Sequence, residues 1–172
     1  MKRRVVLGWP VGMMCFALGF GDPVPPKVSI PLDPPTDRRP VVAGAAISPA
    51  KVRAGDTVTL VVQVKTASKW HIYAADMPTE GSIPTTLKLK LPDGVQAKGK
   101  WSYPSAVQNR NGEGWVYEGD LTFRRALTLA SDVPAGQIEV TCEFGYQACD
   151  PSSCKPPAKL SLKAKVEVAP AQ

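Results

Sequence analysis

Cys149 and Cys154 are separated by Asp150-Pro151-Ser152-Ser153. Aspartate followed by proline suits a type I turn: proline pre-sets φ at the second corner, and the aspartate side chain bonds the backbone beyond it. A loop of four residues joins the two cysteines. If the flanking strands pair in simple register, the cysteines face each other with Cα atoms about 4.5 to 5.5 Å apart, a separation at which a disulfide can close and open without refolding. Three chemistries suit such a pair: thiol–disulfide exchange, a structural staple and a soft metal site.

A crosslink over so short a loop contributes roughly 2 kcal/mol in the chain-entropy model, against nearly 5 for a loop of about a hundred residues. A bridge placed for stability would do better elsewhere. The local charges are uneven, with Asp150 disfavouring a thiolate at Cys149 and Lys155 favouring one at Cys154. Cys154 is therefore the candidate attacking sulfur and Cys149 the candidate resolving sulfur. A metal site would need further ligands, and His71 and Met77 could join the two thiols around copper(I). His71 is the only histidine and sits among aromatic residues, where a packed or hydrogen-bonded imidazole is the commoner role. On the residues alone, exchange, staple and copper(I) binding all stay open.

The elements that must position the pair show alternation of period two. Val58, Leu60, Val62 and Val64 fall on one face of a segment whose other face carries Thr57, Thr59, Gln63 and Lys65, the pattern of a half-buried strand. The same alternation recurs at Leu87, Leu89 and Leu91, at Leu121 and Phe123, at Ile138, Val140, Cys142 and Phe144, and at Leu160, Leu162, Val166 and Val168. Shorter strands are expected over residues 41–47 and 70–73. No amphipathic helix of three turns appears. Seven or eight short strands divided by turns such as Pro92-Asp93-Gly94 and Asn109-Arg110-Asn111-Gly112 predict an all-β, immunoglobulin-like antiparallel β-sandwich. Cys142 shares its face with large apolar residues and reads as an inert core cysteine.

The chain has 172 residues, enough for one domain with a proper core. Lys2, Arg3 and Arg4 precede an apolar run from Val5 to Phe20, the layout of a secretory signal peptide covering residues 1–19. The run is shorter than the roughly 20 residues that span a bilayer, so cleavage is favoured over the alternative of an uncleaved membrane anchor. Residues 20–40 are rich in proline and predict an extended linker, leaving residues 41–170 as the domain. The product is expected in the periplasm or outside the cell, an oxidising space. Three of the six net positive charges lie at Lys2, Arg3 and Arg4, leaving +3, a mild excess that argues against nucleic-acid binding. Neither a cofactor nor a small-molecule substrate is suggested. Removal of the leader also removes Cys15 and leaves three cysteines, so at least one thiol is free or pairs with another molecule.

The run from Phe144 to Pro157, FGYQACDPSSCKPP, resembles the active-site hairpin of the N-terminal domain of DsbD, the thiol:disulfide interchange protein. The Tyr-Gln-Ala-Cys and Cys-Lys-Pro-Pro pieces are the distinctive ones. Lys69-Trp70-His71-Ile72-Tyr73, followed by Gly81, Pro84 and Thr85, is similar to that family's early aromatic strand and loop. The resemblance favours exchange over the other readings and implies an immunoglobulin-like sandwich. It also implies a domain that carries reducing equivalents from a membrane-embedded donor to periplasmic thioredoxin-like proteins. The second cysteine of the family's pair, here Cys154, makes the mixed disulfide. A covering loop is implied over residues 101–114, with Tyr103 and Pro104 as shielding residues and Tyr73 as a further contact. Family members continue into a membrane domain and a thioredoxin-like domain, whereas this chain ends at Gln172, so its electron donor is expected to be a separate protein.

Overall fold

The computed structural model describes residues 28–76, 80–110, 112 and 114–170. The leader at residues 1–19 and Met77 lie outside this set. Twelve strands form: β1 (Val41–Ser48), β2 (Lys51–Val52), β3 (Thr57–Thr66), β4 (His71–Tyr73), β5 (Thr86–Lys90), β6 (Val95–Ser102), β7 (Val107–Gln108), β8 (Trp115–Tyr117), β9 (Asp120–Leu129), β10 (Gly136–Tyr146), β11 (Ala148–Cys149) and β12 (Ala158–Val168). Among the described residues there is no helix.

The strands make three four-stranded sheets, ordered β1-β3-β9-β6, β2-β12-β10-β5 and β11-β4-β8-β7. All pairings are antiparallel except β2 with β12. The fold is an immunoglobulin-like antiparallel β-sandwich. One inner face contributes Leu60, Val62, Val64, Phe123 and Leu127, and the other contributes Val140, Cys142, Phe144, Leu162 and Ala164, all in one buried cluster. Phe123 is the hub of this core. Tyr103, Tyr117 and Phe144 pack around it with ring centroids 6.2, 5.5 and 6.0 Å away, spacings at which aromatic edges meet faces.

The long strands lie where alternation predicted them. The extra strands are β2, β6, β7, β8 and β11, and each lacks the signal for a physical reason. Strand β6 is exposed along nearly all of its length, so neither of its faces needs apolar residues. The other four have only two or three residues, too few to display a period.

The proline-rich stretch carries no strand over residues 28–40, but it packs on the sandwich. The Ile30 amide donates to Gln63 Oε1, and Gln63 Nε2 donates to the Val28 carbonyl. Gly44, the register partner of Gln63, lies beneath Ile30 and Leu32, and a Cβ there would stand 2.8 and 2.9 Å from their side chains. Val61, two residues along on the same face as Gln63, is buried although it lies outside the core cluster.

Candidate functional site

The third sheet carries the cysteine hairpin. Cys149 ends β11 and bridges to Cys154 across the predicted turn. The Asp150 amide donates to the Ser153 carbonyl, and the Lys155 amide donates to the Ala148 carbonyl. These two bonds flank the cysteines and do not join them, which makes Cys149 and Cys154 a non-hydrogen-bonded pair, the closer of the two antiparallel pair types. Their Cα atoms are 4.0 Å apart and the sulfurs form a disulfide. The turn is held by Asp150 Oδ1, which accepts from the amides of Ser152 and Ser153, both at 2.8 Å, and from both serine hydroxyls. These bonds, led by the Ser152 amide, hold the Asp150 carboxyl below its ordinary pKa.

The two sulfur residues differ in access. Cys149 is 2 % exposed, whereas Cys154 is an exposed residue. The difference follows from topology. Cys149 pairs on its other side with His71 of β4, while Cys154 sits on the outer arm of the hairpin with no strand beyond it among the described pairings. The Lys155 ammonium lies 5.2 Å from the centre of the Trp70 ring, within cation–π range. Trp70 in turn donates from Nε1 to Asp37 Oδ1 at 3.2 Å, so the proline-rich segment braces the residue on which Lys155 rests.

His71 is 8 % exposed, and its Nε2 is buried with no hydrogen-bond partner in the protein. Burial pushes the imidazole pKa below its ordinary value, against the opposing pull of the Glu118 and Asp150 carboxylates. The ring of Tyr73 meets it edge-on at 5.7 Å. A cavity of about 190 Å³ beside His71 is lined by Lys69, Gln108, Asn109, Arg110, Glu118 and Pro151, among others. Gln108 to Arg110 fall within the stretch expected to cover the pair. Tyr103 packs edge-on against Phe123, and Pro104 follows it partly buried.

Cys142 is fully buried and free, and burial pushes its thiol up to about 12. Among the described residues no group of three or more His, Cys, Asp and Glu side chains is placed to hold a metal ion. Met77, the further copper ligand considered from sequence, lies outside those residues. Sequence reasoning missed Glu118, because only the pairing of β8 with β4 brings it to the hairpin.

A β-sandwich with a hairpin disulfide that joins a buried cysteine to an exposed one defines the class to which this molecule belongs: an immunoglobulin-like domain carrying a vicinal-strand cysteine pair. Residues 38–165 match the family model described as thiol:disulfide interchange protein DsbD, N-terminal, and the chain belongs to that family. Among solved structures it is similar to the N-terminal periplasmic domain of ScsB from Proteus mirabilis, at 20 % identity and a TM-score of 0.48 over 76 % of this chain. This chain spans 48 % of that one. It is also similar to the reduced DsbD N-terminal domain of Neisseria meningitidis, at 16 % identity and a TM-score of 0.44, covering 77 % of this chain and 93 % of that one. No match is found among curated proteins.

Proposed function

We propose that this is an exported protein-disulfide reductase domain that passes reducing equivalents through Cys154 and Cys149 to thioredoxin-like partner proteins. The observation that carries the reading is the difference in access within the pair. A partner disulfide can reach Cys154, while Cys149 stays shielded and close enough to resolve the complex. In the cycle, the Cys154 thiolate attacks the partner disulfide and forms a mixed disulfide, and Cys149 then displaces the partner's sulfur. The domain leaves oxidised and is reduced again by a membrane donor. Residues 1–19 act as the export signal, and the domain works in the periplasm or outside the cell. No helix among the described residues is long and apolar enough to cross a membrane.

The third sheet offers exposed apolar residues to a partner. Ile83, Val107 and Trp115 are the exposed large hydrophobic residues of the described chain. Val107 and Trp115 lie on the third sheet, and Ile83 precedes Pro84, which bridges to Tyr73 of that sheet. Tyr73, with Tyr103 and Pro104 on the covering stretch, is proposed to shield Cys149 and leave Cys154 open to a partner.

Reduced wild-type, Cys149→Ala and Cys154→Ala proteins are mixed with an oxidised thioredoxin-like protein and quenched with acid. The Cys149→Ala protein is expected to accumulate the mixed disulfide and the Cys154→Ala protein to form none. Equal rates in all three would discard the mechanism.

A further inference from the structure

Three residues stand side by side across adjacent strands: Cys154 opposite Cys149, and Cys149 opposite His71. Directly opposed residues of antiparallel strands place their side chains on the same face of the sheet. The pairing of Ile72 with Tyr117 puts Glu118 next in register beyond His71. Glu118 and His71 line the same cavity, and the carboxylate acts electrostatically on the imidazole. A row of two cysteines, an imidazole and a carboxylate thus crosses the sheet, with Cys149 and His71 buried between the exposed residues Cys154 and Glu118.

The interior of this row poses a proton problem. Buried thiols resist ionisation, because desolvation disfavours the charged form. Burial acts in that direction on Cys142, and Cys149 is nearly as inaccessible. Yet Cys149 must attack as a thiolate when it resolves a mixed disulfide, and it must leave as one when the pair is reduced. Its register neighbour carries a buried ring nitrogen with no partner in the disulfide form, a state that normally costs free energy and calls for an explanation.

Resting on the exchange reading, we propose that His71 is the proton-relay residue for Cys149. In the forward direction the neutral imidazole takes the proton from the Cys149 thiol. Cys149 Sγ attacks Cys154 Sγ, the Cys149–Cys154 bond forms, and the bond from Cys154 to the partner breaks. The partner's sulfur leaves as a thiolate and takes the proton from the imidazolium. Two electrons and the Cys149 proton pass to the partner over the whole cycle, the second proton comes from the solvent that took it when Cys154 ionised, and the pair is left as a disulfide. In reverse, an incoming thiolate bonds to Cys154, and the departing Cys149 sulfur is protonated by the imidazolium. The charged and titratable groups facing His71 are Glu118 beyond β8, Asp150 of the hairpin, Tyr73 of its own strand, and Lys69 and Arg110 along the cavity. Burial dominates over the carboxylates and keeps the ring neutral near pH 7, the form that accepts a proton.

The test uses a small disulfide that needs no docking surface. Reduced protein is mixed with dithiobis(nitrobenzoate) in a stopped-flow instrument. A first thionitrobenzoate reports attack by Cys154, and a second reports closure by Cys149. The Cys149→Ala protein, which stops after the first, assigns the phases. In the wild type the second phase should already be level at neutral pH, since burial holds the His71 pKa below 6.5. In His71→Gln it should be at least about tenfold slower at pH 7 and climb about tenfold per pH unit towards pH 9, with the first phase unchanged. Glu118→Gln should move the start of the plateau to lower pH, since Glu118 raises the His71 pKa. A second phase with the same rate and pH profile in wild type and His71→Gln overturns the relay while leaving exchange intact. A wild type that shows no first phase removes the exchange reading itself. If His71→Gln fails to fold by near-UV circular dichroism, the wild-type profile decides: a plateau supports the relay, and an unbroken tenfold rise per unit to pH 9 overturns it.

Discussion

Reducing the hairpin disulfide should cost the domain little stability, and the structure sets the scale. Cys149 and Cys154 are five residues apart, so their crosslink removes only a small loop's freedom from the unfolded chain. The chain-entropy relation gives about 2 kcal/mol for such a loop, against nearly 5 for one of about a hundred residues. The bonds that shape the turn do not depend on the sulfur link. The Asp150 and Lys155 amide bonds and the Asp150 carboxylate cradle all remain available to the dithiol. The reduced hairpin should therefore keep its form, and only the unfolded state should gain freedom. For a domain of this size about 2 kcal/mol corresponds to a fall of roughly 5 to 10 °C in the thermal midpoint. Melting curves with and without a phosphine reductant, each checked for reversibility, measure it. A loss above about 5 kcal/mol, or a reduced form without cooperative unfolding, would mean that the bridge holds the fold together and would refute the argument that it is free to exchange.

Two further predictions concern the frame around the site. Gly44→Val should lift residues 28–33 from the sandwich, since even a Cβ there presses on Ile30 and Leu32; limited proteolysis should then cut within residues 28–40 while the domain stays folded, and an unchanged cleavage pattern would count against the docked segment. The pH dependence should run in both directions from neutrality. Unfolded Cys142 ionises from about 9.0 and folded Cys142 only near 12, so the oxidised protein should lose up to about 1.4 kcal/mol per pH unit across that window. Tyr117, raised by burial and by its bond to Asp76, adds to the loss above pH 10. On the acid side, the His71 pKa is lowered in the fold, so its contribution is complete above 6.5 and fades as the pH falls towards the folded value. Urea titrations of wild type and Cys142→Ala at pH 8, 9 and 10 test the alkaline limb, and an identical slope in both proteins would contradict it.

Much of the fold was legible because the information is local. The alternation of Val58, Leu60, Val62 and Val64 marks β3, and the same period marks β10 and β12, where one face must be buried. Asp150 and Pro151 encode the turn that brings the sulfurs together, and the aspartate does so by bonding the two serines that follow it. Cys142 could be assigned to the core from its neighbours on one strand face. The proline-rich stretch was legible as lacking strand but not as docked, because its contacts run to Gln63, Gly44 and Trp70, far along the chain.

The amino-acid sequence by itself determined the sandwich, the hairpin and the pairing of two cysteines, since period-two burial and turn chemistry act over a few neighbouring residues. Only the tertiary structure decided that His71 stands against Cys149, that Glu118 stands beyond it, and that Cys149 is buried while Cys154 is exposed. These facts depend on the order and register of short strands distant in the chain. Two or three residues of β4, β8 and β11 carry too little pattern to reveal that register before the chain folds.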